Sequence, residues 1–210
     1  MRPGIPIIFL VLANLLPLVG VLFLGWSVFL VMMLFWLENI IVGLLNIPRI
    51  LFAMGDEDDR KQKFSGRLFT AVFFTVHYGI FTTVHGMFVF SLFGEDQYGE
   101  LTIQLVWQII QSQQLYWAVA ALFFSHLLSL VMNYFLGGEY QQARVKDMMK
   151  QPYDRIVLLH LGILSGGIVI DMLALPIAGL LALLVLKIIF DVRAHVKEHQ
   201  ALADEAVLTN

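Results

Sequence analysis

The chain has 210 residues, of which 59% are hydrophobic and 14% charged, with a formal net charge of −3 and a mean hydropathy of +0.80. So little polar surface cannot coat a water-soluble domain of this length, and an integral membrane protein is what remains. There is no cysteine, which excludes disulfides and thiolate metal sites. The expected partner is the lipid bilayer, and no nucleic-acid partner is expected.

A hydrocarbon core of about 30 Å is crossed by roughly 20 helical residues. On that rule the chain is an all-α, polytopic membrane helix bundle. Six transmembrane helices are predicted at Ile5–Leu24, Trp26–Phe52, Leu68–Phe93, Leu115–Leu136, Ile156–Met172 and Leu175–Phe190. The first is interrupted by Asn14 and Pro17. A signal peptide is the competing reading of it, but no small-residue cleavage site precedes Trp26 and only Arg2 heads the segment. Residues 1–193 are thus expected to form one transmembrane domain and 194–210 a cytoplasmic helical tail, in which His195 and His199 share a face.

The distribution of Lys and Arg sets the expected topology. Arg2 precedes the first segment. Arg49, Arg60, Lys61, Lys63 and Arg67 cluster after the second, Arg144, Lys146, Lys150 and Arg155 after the fourth, and Lys187, Arg193 and Lys197 at the end. The connection "GEDQYGELTIQ" carries only acidic charge. Both termini are therefore expected in the cytoplasm of a multi-pass protein.

Polar side chains inside the segments carry the functional signal, because an ionisable group in the bilayer is costly unless it faces the bundle and finds partners. At about 1.5 Å per residue, Glu38 lies roughly 18 Å from the outer side and His126 roughly 17 Å. His77 lies roughly 14 Å from the cytoplasmic side, and His160, four residues past Ile156, falls in the inner half. Glu38, His77, His126 and His160 are on this count a candidate first shell for a divalent metal, zinc or iron, as in a membrane oxidoreductase or hydrolase. The competing reading is that each histidine bonds a carbonyl, serine or asparagine and locks packing. In that case the bundle is a small transporter, a proton-linked carrier or a packing and partner-binding protein. Haem held between His77 and His126 is a third reading, opposed by the bulk of Phe123, Leu127 and Leu130. Whether the protein is an enzyme stays open.

His85 lies eight residues beyond His77, about 12 Å outward and turned about 80°. It is expected in an outer layer, as an access-path group with Thr82 and Tyr78 on its face and Asp171 as a candidate neighbour. Asn39, Gly43 and Asn46 make a small, polar face on the second segment, and His126, Ser129 and Asn133 a polar stripe on the fourth. A rhomboid-like protease is set aside: "ILSGG" has Ile163 where that motif has its first glycine, and no histidine lies on a later segment.

The stretches "FWLENIIVGLLNIPRI", "HYGIFTTVHGMF" and "NYFLGGEY" with "YDRIVLLHLGIL" resemble an uncharacterised family of bacterial integral membrane proteins of unknown function, over nearly the whole chain. The resemblance implies only that the polar membrane residues belong to the family's motifs, and it implies no activity; the expected location is the bacterial inner membrane.

Overall fold

The computed structural model describes residues 19–20, 23–55, 64–94 and 98–173, with the backbone alone at 158 and 162–173. Apart from residues 19, 20, 23 and 24, the first predicted segment lies outside the described residues, as do the sixth and the tail 194–210.

Among the described residues the fold is helical and has no strand. Helix α1 is Val28–Phe52, α2 Phe64–Phe93, α3 Ile103–Ser112, and α4 Tyr116–Ser129, which continues as a π-helix over Leu130–Leu136. Helix α5 is Val145–Leu173. Three of these, α1, α2 and α4 with its π extension, are long and apolar enough to cross a membrane.

Helix α1 is the axis of the assembly and touches α2, α4 and α5. Its residues Phe29 to Asn39 are buried without a break, so it is covered on all sides, as its nearly uniform apolarity requires. Ser27 caps its N-terminus, accepting from the Leu30 N–H. The rings of Phe29 and Phe90 meet edge-on at 5.1 Å at one end, and Arg67 donates to the Leu51 carbonyl near the other. Helices α1 and α2 are therefore antiparallel. Gly43 and Gly86 set their closeness: a Cβ on Gly43 would lie 2.5 Å from the Tyr78 ring, and one on Gly86 2.6 Å from the Trp36 indole.

Helix α5 begins eleven residues before the predicted fifth segment and passes through Pro152. Proline has no N–H, so the carbonyl four residues back, that of Met148, loses its helical donor. Asn46 supplies the replacement, its Nδ2 donating to the Met148 oxygen at 2.8 Å. The helix runs on because a neighbouring side chain fills the break.

The acidic connection is more than a loop. It contains α3, capped by Thr102 at the Leu105 N–H, with Ile109 and Ile110 buried and Ile103 and Trp107 exposed. A short helix of this kind suits the membrane–water interface better than its interior. At the opposite end, Met54 N–H donates to the Tyr140 carbonyl and Gly55 N–H to the Ala143 carbonyl, both at 2.8 Å. The residues that follow α1 and the turn that follows α4 thus share one end of the bundle.

Candidate functional site

The polar residues of the helices sort into three small constellations. The innermost is built on Glu38, which is 3% exposed on the central helix α1. Its Oε1 accepts from His126 Nε2 on α4 at 3.0 Å and from Arg155 Nη1 on α5 at 3.0 Å. An ionised carboxylate only accepts, so His126 carries its proton on Nε2 in this contact. One buried oxygen thus ties three helices together by two charge-assisted bonds.

A second constellation surrounds it. Tyr78 Oη donates to the Asn39 carbonyl at 3.1 Å, Thr82 Oγ1 to the Tyr78 carbonyl at 2.9 Å, and Trp36 Nε1 to the Thr82 carbonyl at 2.7 Å. Next to this layer, toward the Phe93 end of α2, His85 Nδ1 bonds the Phe81 carbonyl at 2.7 Å, which makes Nδ1 a donor. His85 Nε2 meets His160 Nδ1 on α5 at 3.2 Å. With both rings neutral, His85 Nε2 accepts and His160 Nδ1 donates.

The third constellation is peripheral. His77 is exposed on α2, its Nδ1 lies 2.6 Å from the Tyr153 hydroxyl, and its ring stacks on Phe73 at 5.4 Å.

The four residues of the expected metal shell therefore divide. Glu38 and His126 are in contact. His160 pairs with His85 instead, and His77 with Tyr153. No group of three or more histidine, aspartate or glutamate side chains able to hold a metal exists among the described residues. His77 and His126, the pair considered for haem, have different partners on different helices. Asn46 is engaged at Met148, Asn133 Nδ2 donates to Ser129 Oγ at 3.4 Å, and Asn39 Nδ2 donates to the Phe35 carbonyl at 3.0 Å. The side chain of Asp171 lies outside the described residues. Two buried oxygens, Asn39 Oδ1 and Ser125 Oγ, have no partner among the described residues; each belongs to the sequence neighbour of a member of the Glu38–His126 pair.

Arg155 is the site residue that sequence reasoning missed. The sequence places it among the cytoplasmic charges, one residue before the predicted fifth segment. The signal was available: a carboxylate as deep as Glu38 needs a cation, and Arg155 heads the stretch that contains His160.

No curated protein and no solved structure matches the chain. A family model described as a family of unknown function, DUF6498, matches residues 1–207, and the chain belongs to that family.

Proposed function

We propose that the protein is a proton-handling bundle of the bacterial inner membrane, a small proton-linked carrier in which Glu38 exchanges the proton. The observation that carries this reading is the single Glu38 oxygen held at 3.0 Å by both Arg155 and His126 inside the helix bundle. A buried carboxylate with a permanent cation and a titratable imidazole on the same atom is the arrangement of intramembrane proton relays. Arg155 stays charged at any physiological pH and holds the carboxylate ready to accept. A proton reaching His126 Nδ1 makes an imidazolium. Its Nε2 proton then passes to Glu38 Oε1, which leaves a neutral imidazole and a neutral acid. Protonation breaks the ionic tie to Arg155, so proton arrival loosens α5 from α1 and couples the proton to helix movement. Asn39 Oδ1 and Ser125 Oγ can accept hydrogen bonds from a polar species entering there.

The test is proton entry into liposomes holding the purified protein, driven by a potassium diffusion potential and read by an internal pH dye. Wild type should acidify the lumen faster than protein-free vesicles, and Glu38→Gln should not. Equal rates for wild type and empty vesicles would overturn the reading.

Metal binding remains a second reading on one observation. The 3.2 Å between the facing nitrogens of His85 and His160 is close to the ligand–ligand edge of a tetrahedral zinc site with Zn–N bonds of about 2.0–2.1 Å. These are two donors where zinc takes four. Metal analysis of the purified protein decides it, with stoichiometric zinc or iron, lost in His85→Ala, as the result that would favour it.

A further inference from the structure

We propose that His77 and Tyr153 form a lateral binding site, open to the lipid phase, for a membrane-dissolved quinone whose carbonyl accepts a hydrogen bond from His77 Nε2. Depth is the first argument. His77 lies thirteen residues from Phe64 and sixteen from Phe93, about 20 Å and 24 Å from the two ends of α2. It is therefore at the level of the hydrocarbon core. It is also exposed, on the same side of the helix as exposed Phe73, Val76, Ile80 and Phe81. A packing histidine would face the bundle, as His85 does from two turns further along.

Proton placement is the second argument. The described partner of His77 is the Tyr153 hydroxyl, and His77 is that hydroxyl's described partner in turn. Either direction uses one donor and one acceptor, so strength of pairing decides. The phenol hydroxyl is the better donor and the imidazole nitrogen the better acceptor, so the tyrosine donates to Nδ1 across 2.6 Å and the donor left over is the Nε2–H. This fixes His77 as a donor toward the lipid, so the complementary ligand is an acceptor.

Shape and source complete the assignment. Phe73 stacks on the imidazole with 15° between the planes, Phe81 sits at 5.1 Å, and Tyr153 packs edge-on against Phe81 and Phe74. Such ring faces and edges suit a flat, conjugated head. Phospholipid ester carbonyls lie at the interface, whereas a quinone ring with its carbonyls enters the hydrocarbon layer where His77 stands. This site is separate from Glu38 and does not depend on the proton-handling reading.

The experiment is photolabelling of the full chain in phospholipid nanodiscs with a short-chain azido-quinone, mapped by mass spectrometry. Competition is by unlabelled short-chain ubiquinone or by added phospholipid. Saturable labelling within residues 69–84 and around Tyr153, displaced by the quinone and not by phospholipid, is expected. His77→Ala, and His77→Phe, which retains a ring on Phe73, should each weaken quinone competition by roughly three- to ten-fold, the loss of one hydrogen bond. Tyr153→Phe should weaken it less, because it frees the tautomer and leaves the imidazole in place. Labelling that does not saturate, maps elsewhere, yields to phospholipid, or is unchanged in both His77 variants would overturn the proposal.

Discussion

Removing the guanidinium from the Glu38 oxygen is the perturbation with the largest expected consequence. In Arg155→Met the carboxylate, 3% exposed, keeps its imidazole but loses its permanent cation. Breaking a buried ion pair by deleting one partner costs about 3–5 kcal/mol, mostly the penalty of leaving the other charge unpaired in a poor solvent. Arg155 is 27% exposed along its side chain, so it is less completely enclosed than Glu38, and the lower end of that range is the appropriate expectation. Removing both charges should cost less than removing one: Glu38→Gln with Arg155→Met should recover about 2 kcal/mol of the single-variant loss. The assay is equilibrium unfolding in mixed micelles with increasing sodium dodecyl sulfate, followed by circular dichroism, for wild type, both single variants and the double variant. Additive losses, or an Arg155→Met loss under about 1 kcal/mol, the worth of an exposed pair, would refute the view that this contact is a buried ion pair.

Asn46→Leu should cost about 1–3 kcal/mol, because it orphans the Met148 carbonyl that Pro152 cannot serve. In a Pro152→Ala background, where the helix supplies its own donor, the same change should cost measurably less in the same unfolding assay. Gly43→Ala should destabilise by about 1–3 kcal/mol, since its Cβ would enter the space of a Tyr78 ring anchored by its hydroxyl to Asn39. A thermal transition unchanged from wild type would contradict the close approach. Single cysteines at Lys61 and Gln97 should be labelled by a membrane-impermeant maleimide from opposite sides in cells, with Gln97 outside; labelling from the same side would contradict the topology drawn from the basic residues.

Much of the bundle can be read from apolar length alone. The segments predicted from 26, 68 and 115 match α1, α2 and α4 to within four residues at their starts and end at the same residues. The contact between Glu38 and His126 was legible too: a residue count put them at nearly one depth from the outer side, and they meet at 3.0 Å. His160 and Arg155 were misplaced for one shared reason. Pro152 and the polar run before it look like a connection, yet the helix starts at Val145, since Asn46 on another helix repairs the proline gap. Counted from Val145, His160 is fifteen residues in, about 22 Å, and it stands level with His85. The side of α2 that turns inward was hard to read because apolar residues surround that helix. Its short polar stripe, Tyr78, Thr82 and His85, was the usable signal, and His77 falls off it. Helix α3 escaped notice because ten residues are too short to span and the acidic stretch before it reads as loop.

The central claim is that Glu38 changes protonation inside the bundle, and difference infrared spectroscopy of the protein in lipid, stepped across pH, observes that directly. A protonated-carboxyl stretch that appears reversibly in wild type, is absent in Glu38→Gln and shifts its pH of appearance in His126→Gln is the result expected of a proton-exchanging Glu38 coupled to His126. Difference spectra identical in wild type and Glu38→Gln over the whole range in which the protein stays folded would contradict it, and would leave the Glu38–Arg155–His126 contact as a structural tie alone.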